Sequence, residues 1–146
     1  MMRAMTEFSI EGGCLCGAVR FVLTAPPIEA GYCHCTRCQR RTGTAASAQA
    51  RIDGDALTLL AGAESVRGWV HSDGGMEKCF CVRCGTQLFA RVPGQTAPRI
   101  VRMSAFDAHP EVRPSYRQYV DYAASWEPIP DDGLARFGEA RPLPQA

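Results

Sequence analysis

The chain's eight cysteines fall into three tight groups. The first is Cys14 and Cys16, inside Gly13-Cys14-Leu15-Cys16-Gly17. The second is Cys33, Cys35 and Cys38. The third is Cys79, Cys81 and Cys84, followed by Gly85. Such spacings force several sulfurs into one small volume. Sulfurs gathered on short turns suit tetrahedral zinc, which takes thiolates at roughly 2.3 Å. On an extended strand, residues i and i+2 project to one face, so Cys14 and Cys16 can chelate one ion from a strand. Cys81-x-x-Cys84 is a tight knuckle, and Gly85 supplies the positive φ that such a turn needs. Neither pair completes a tetrahedron; together they give a closed four-cysteine site. Cys33, Cys35 and Cys38 are close enough to serve a second ion by themselves. That ion keeps a free fourth position, the arrangement of a catalytic zinc.

Other residues bear on this chemistry. Arg37, Arg40 and Arg41 interrupt or follow the second cysteine group, and arginine pairs with carboxylates in bidentate fashion. Each alone reads more simply as part of a solvated basic face on a short helix. His34 lies between two of the triad cysteines, and on a strand its ring points away from them. His71 and His109 fall in loops. Tyr119, Tyr122 and Trp126 read as core aromatics or as a pocket lining. Cys79 lies at i−2 from Cys81. It reads first as a buried apolar residue, with competition for either metal left open.

The elements that position these groups are mostly short strands. Phe8 and Ile10 alternate with polar residues, and Val19, Phe21 and Leu23 share one face. Leu57–Leu60, Val66–Val70, Leu88–Val92, Ile100–Met103 and Tyr116–Tyr122 read as further strands. Pro26-Pro27, Asp53-Gly54, Gly74-Gly75, Pro93-Gly94 and His109-Pro110 separate them. Thr36 is expected to cap a short helix through Gln39 to Thr42, ended by Gly43. Asp131 or Asp132 is expected to cap another through Leu134 and Phe137, ended by Gly138. The fold class is mainly β, with short antiparallel sheets joined by metal knuckles and few short helices. Residues 1–146 are expected to form one domain, with a core of about 8–138 and a loose Pro-rich tail over 139–146.

Composition narrows the function. Hydrophobic residues make up 46% and charged residues 21% of 146 positions, enough for a packed core, and formal net charge is +1. That balance gives no electrostatic case for nucleic acid or an anionic membrane surface. No run approaches the roughly 20 apolar residues of a transmembrane helix. Met1–Ile10 does not read as a secretory signal, so metal is expected over disulfides and the cytoplasm is the expected compartment.

The motifs Gly12-Gly13-Cys14-Leu15-Cys16-Gly17, Cys33-His34-Cys35-Thr36-Arg37-Cys38-Gln39-Arg40 and Phe80-Cys81-Val82-Arg83-Cys84-Gly85-Thr86 resemble those of one family. It is the glutathione-dependent formaldehyde-activating family, which includes centromere protein V-like domains. Trp126 and Leu134-Ala135-Arg136-Phe137 extend the likeness, which spans roughly Glu11 to Phe137. The resemblance implies an Mss4-like fold with two zinc ions per chain. It implies Cys14, Cys16, Cys81 and Cys84 as structural ligands, and Cys33, Cys35 and Cys38 as ligands of the catalytic site. It also implies a carbon–sulfur lyase that joins glutathione and formaldehyde as S-hydroxymethylglutathione.

Three thiolates weaken zinc as a Lewis acid towards water, so a substrate thiol is the better fourth ligand. A small thiol such as glutathione is therefore the expected partner. Arg37, Arg40 and Arg41 are the candidate anchors for its carboxylates. The competing expectation is a non-enzymatic binding module whose zincs only hold the same fold.

Overall fold

The computed structural model describes residues 7–143. Eleven strands and one α-helix follow in order. They are β1 (Ile10–Gly13), β2 (Arg20–Leu23), β3 (Glu29–Cys33), α1 (Thr36–Thr42), β4 (Ser47–Arg51) and β5 (Leu57–Ala61). Then come β6 (Val66–Trp69), β7 (Glu77–Cys81), β8 (Gln87–Arg91), β9 (Pro98–Arg102), β10 (Pro114–Gln118) and β11 (Ala135–Arg136). The architecture is mainly β, as the alternation predicts. β1, β2 and β5 form a three-stranded sheet. The other strands form an eight-stranded sheet in the order β11-β10-β3-β4-β9-β8-β7-β6. Pairing is antiparallel except for β10, which runs parallel to both β3 and β11. No described helix is long and apolar enough to cross a membrane.

The period-two reading of β2 holds residue by residue: Val19, Phe21 and Leu23 are wholly buried. They meet Leu88 of β8, Val101 of β9 and Cys79 and Cys81 of β7 in one core. Each large side chain buried this way contributes roughly 1.5–3 kcal/mol. The edge of the hairpin is seated by a contact from Gly12 to Phe106 and an edge-on Phe21–Phe106 ring pair at 5.8 Å.

Four local expectations change. Cys14 to Gly17 is a turn after β1, closed by the Gly17 amide on the Cys14 carbonyl at 3.1 Å, and not an extended strand. Helix α1 is capped by Cys35, not Thr36; the Cys35 sulfur accepts from the Cys38 amide at 3.3 Å. Gly43 ends the helix in the left-handed region at φ 67°, as expected. The late strand stops at Gln118, because Tyr119 turns the chain at φ 56° into a short 3-10 turn over Val120–Tyr122. No helix forms near Asp132. Its carboxylate is taken by the Leu134 amide and by Arg117, and Ala135–Arg136 pair with β10.

Residues 139–141, read from sequence as tail, are tied to the large sheet. The Tyr119 amide donates to the Glu139 carbonyl at 3.0 Å. The Arg141 guanidinium pairs with Glu29 and lies 4.3 Å from the Tyr116 ring centre. Residues 144–146 lie outside the described part of the chain.

Candidate metal centres and an adjoining cleft

The turn after β1 and the knuckle after β7 bring Cys14, Cys16, Cys81 and Cys84 together, all four sulfurs within 4.8 Å of one another. The Cys14–Cys16 and Cys16–Cys81 sulfur separations are 3.6 and 3.9 Å. Tetrahedral thiolates at about 2.3 Å from zinc would stand roughly 3.8 Å apart, so the donor set fits. The knuckle is built by the Gly85 amide on the Cys81 carbonyl at 2.8 Å and the Cys81 amide on the Thr86 carbonyl at 3.0 Å. Gly85 takes φ 79° there, a region that costs other residues energy. Amide and hydroxyl groups surround the sulfurs. The Val19 amide donates to the Cys14 sulfur at 3.2 Å. The Thr86 hydroxyl sits 3.2 Å from the Cys84 sulfur and accepts from the Leu15 amide, linking the two turns. Hydrogen bonds from the Thr86 hydroxyl and amide pull the Cys84 thiol down to about 5.

The second group is built at a strand–helix junction. Cys33 ends β3, Cys35 caps α1 and Cys38 lies in its first turn, with the three sulfurs within 4.8 Å of one another. Cys33 and Cys38 are buried and Cys35 is partly exposed. Three thiols so close cannot all ionise alone. Hydrogen bonds from Cys33 and Cys35 strongly favour a thiolate at Cys38, and the same crowding pushes Cys33 far up. A soft dication would relieve that repulsion, so this group too could hold a metal, with three protein donors.

The triad opens into a cleft of about 1000 Å³. That is at the upper end of the roughly 300–1,000 Å³ of small-molecule sites. Arg37, Arg40 and Arg41 all line it. Arg37 donates to the Gly74 carbonyl at 2.9 Å and faces Asp73 at 3.8 Å. Arg41 donates to Gln87 and lies 5.5 Å from the Trp69 ring centre. Arg40 is exposed and makes no ion pair among the described residues.

His34 does not face the cleft. Its Nε2 lies 3.1 Å from the Arg117 guanidinium, which is held by Asp132 at 2.8 and 3.2 Å. A guanidinium only donates, so Nε2 accepts and the ring proton resides on Nδ1. Burial, then the Arg117 charge, lowers the His34 pKa, leaving the ring neutral and turned from the triad. His71 and His109 each accept a backbone amide two residues on, at 2.9 and 3.0 Å. Cys79 belongs to neither metal group. It is buried, 3.7 Å from the Glu77 carboxylate, and burial pushes its thiol up to about 11.

One cleft residue escaped the sequence reading, and the pocket-lining alternative for Tyr119 holds. Lys78, the only lysine in the chain, lines the cleft; burial, then the Arg102 charge, lowers its pKa. A single lysine among 16 cationic residues was the available signal. Tyr119 lines it too, and its hydroxyl makes no hydrogen bond among the described residues. Burial, then the nearby Cys33 and Cys35, raises the Tyr119 pKa.

A family model described as glutathione-dependent formaldehyde-activating enzyme matches residues 9–122. Over 90 residues the chain is 36% identical to a Halomonas elongata protein provisionally named as a glutathione-dependent formaldehyde-activating enzyme. The match covers 58% of this chain and 57% of that one, so the chain spans just over half of that relative's length. A crystal structure of a Rhodobacter sphaeroides protein shares the fold at a TM-score of 0.52 and 23% identity. That likeness covers 88% of this chain and 99% of that one.

Proposed function

The chain belongs to the glutathione-dependent formaldehyde-activating enzyme family, and on that premise we propose a zinc-dependent carbon–sulfur lyase that joins a glutathione-like thiol to an aldehyde and releases it again. In this reading Cys14, Cys16, Cys81 and Cys84 hold a structural zinc, and Cys33, Cys35 and Cys38 hold a second one. The observation that carries the proposal is a three-sulfur group, short of a tetrahedron by one donor, opening into a large cationic cleft. A zinc held by three thiolates supplies a position that acidifies and orients an incoming thiol.

The protein's own groups do the rest. Arg37, Arg40 and Arg41 pair with the carboxylates of the thiol and fix its sulfur at the triad. As sulfur attacks the aldehyde, the S–C bond forms, the C=O π bond breaks and the oxygen gathers negative charge. Tyr119 donates its phenolic proton to that oxygen and regains one from solvent, so the net transfer is of the thiol proton to oxygen. Lys78 adds a positive charge beside the developing alkoxide. His34 takes no part, because its ring faces Arg117.

Millimolar glutathione added to the cobalt-substituted protein should alter its sulfur-to-metal charge-transfer absorption. An unchanged spectrum overturns the reading and leaves the non-enzymatic binding module in its place. Tyr119→Phe should lower kcat by about 10²-fold or more while zinc content and thiol affinity stay at wild-type values. Loss of thiol affinity with kcat intact would make Tyr119 a binding residue instead.

A further inference from the structure

The β6–β7 hairpin carries a second depression beside the triad cleft. Directly opposed residues of an antiparallel pair share a face. Trp69 is opposed by Lys78 and Arg67 by Phe80, so these four stand on one face of the sheet. Cys79 and Cys81 occupy the other, buried face of β7. Lys78 and Trp69 line the triad cleft. Arg67, Phe80 and again Trp69 line a shallow groove of about 550 Å³. Arg40 and Arg41 line both, so the cleft and the groove share one wall.

The charge of this trough is one-sided. Arg40, Arg41 and Arg67 line the groove and no carboxylate does. Arg40 and Arg67 are exposed without an ion pair among the described residues, and the buried Arg41 Nε has no hydrogen-bond partner. In the cleft, Arg37 and Lys78 add two cations and Asp73 one carboxylate. Five cationic side chains thus face a single carboxylate, with about one further negative charge from a metal-loaded triad. Glutathione, with two carboxylates and one ammonium, is a poor match for that surplus.

We propose that the groove takes a further acidic group of the thiol substrate. The thiol then carries at least one acidic group more than glutathione, with its sulfur at the triad, its body across Trp69 and its far end at Arg67. Carboxylate and phosphate share the required chemistry, since guanidinium grips either in bidentate fashion. This inference rests on the thiol reading above and extends it.

Calorimetric titration of the zinc-loaded protein tests it with three probes: glutathione, γ-glutamylglutathione, which adds a carboxylate, and coenzyme A, which brings phosphates. One or both longer thiols should bind about tenfold tighter than glutathione. Arg67→Ala should erase that advantage, Arg67→Lys should restore part of it, and glutathione affinity should stay within about twofold. A gain for coenzyme A alone identifies phosphate; a gain for the peptide alone identifies carboxylate. The inference is overturned if neither longer thiol gains, or if Arg67→Ala leaves the gain intact or weakens all three equally. The underlying thiol reading fails differently: no probe binds, or Cys35→Ser leaves every affinity unchanged.

Discussion

Cys81→Ser is expected to abolish the cooperative thermal transition of the domain. Cys81 is wholly buried at the end of β7, and its backbone makes both hydrogen bonds of the knuckle. Its sulfur gathers with those of Cys14 and Cys16, which hang from the turn after β1. A metal held by the four sulfurs would therefore staple the three-stranded sheet to the eight-stranded one. A structural zinc contributes roughly 10–16 kcal/mol to folding, whereas a whole domain is stable by only about 5–15 kcal/mol. Losing most of that metal energy exceeds what the core can offset. A serine hydroxyl is a poor zinc donor, and in the buried pocket it would also need a hydrogen-bond partner. Circular dichroism on heating and metal counting by native mass spectrometry check this. A variant that melts within a few degrees of wild type with both metals retained would refute a structural metal at this site.

What could be read from the chain follows from how local each determinant is. Cysteine spacing is local, so the grouping of sulfurs was visible before any fold. Strand β2 was visible because Phe21 and Leu23, with Val19 just before it, carry their burial in their own period. Strands β3 and β4 were not, because Glu29-Ala-Gly-Tyr-Cys33 and Ser47-Ala-Gln-Ala-Arg51 lack branched apolar residues. They sit inside the large sheet, where small size is what packing demands. A Cβ on Gly31 would come within 2.2 Å of the Tyr116 ring, and Ala50 is fully buried. The absent late helix has the same origin. Asp132 looked like a cap, but Arg117, fifteen residues earlier, claims its carboxylate. The cleft depended on longer distances still, since Lys78, Trp69 and Tyr119 reach it from three different segments.

Cys35→Ser should separate the metal of the triad from the stability of the fold. Cys35 caps α1 through its side chain, which accepts the Cys38 amide at 3.3 Å. Serine is among the best capping residues, so its hydroxyl can accept the same amide. Cys35 is also partly exposed, so the change leaves no buried cavity. The structural cost should stay within about 1 kcal/mol, a shift of only a few degrees in Tm. The chemical cost should be far larger. Partners that merely orient a metal ligand cost 10- to 100-fold when removed, so loss of one of three ligands should cost at least about 100-fold in activity. One zinc should be lost per chain, and the cobalt spectrum should no longer respond to glutathione. The result is sharp because the cap survives while the donor set does not. If Cys35→Ser unfolds as Cys81→Ser does, the triad is part of the scaffold, and the division into a closed structural site and an open reactive one is wrong.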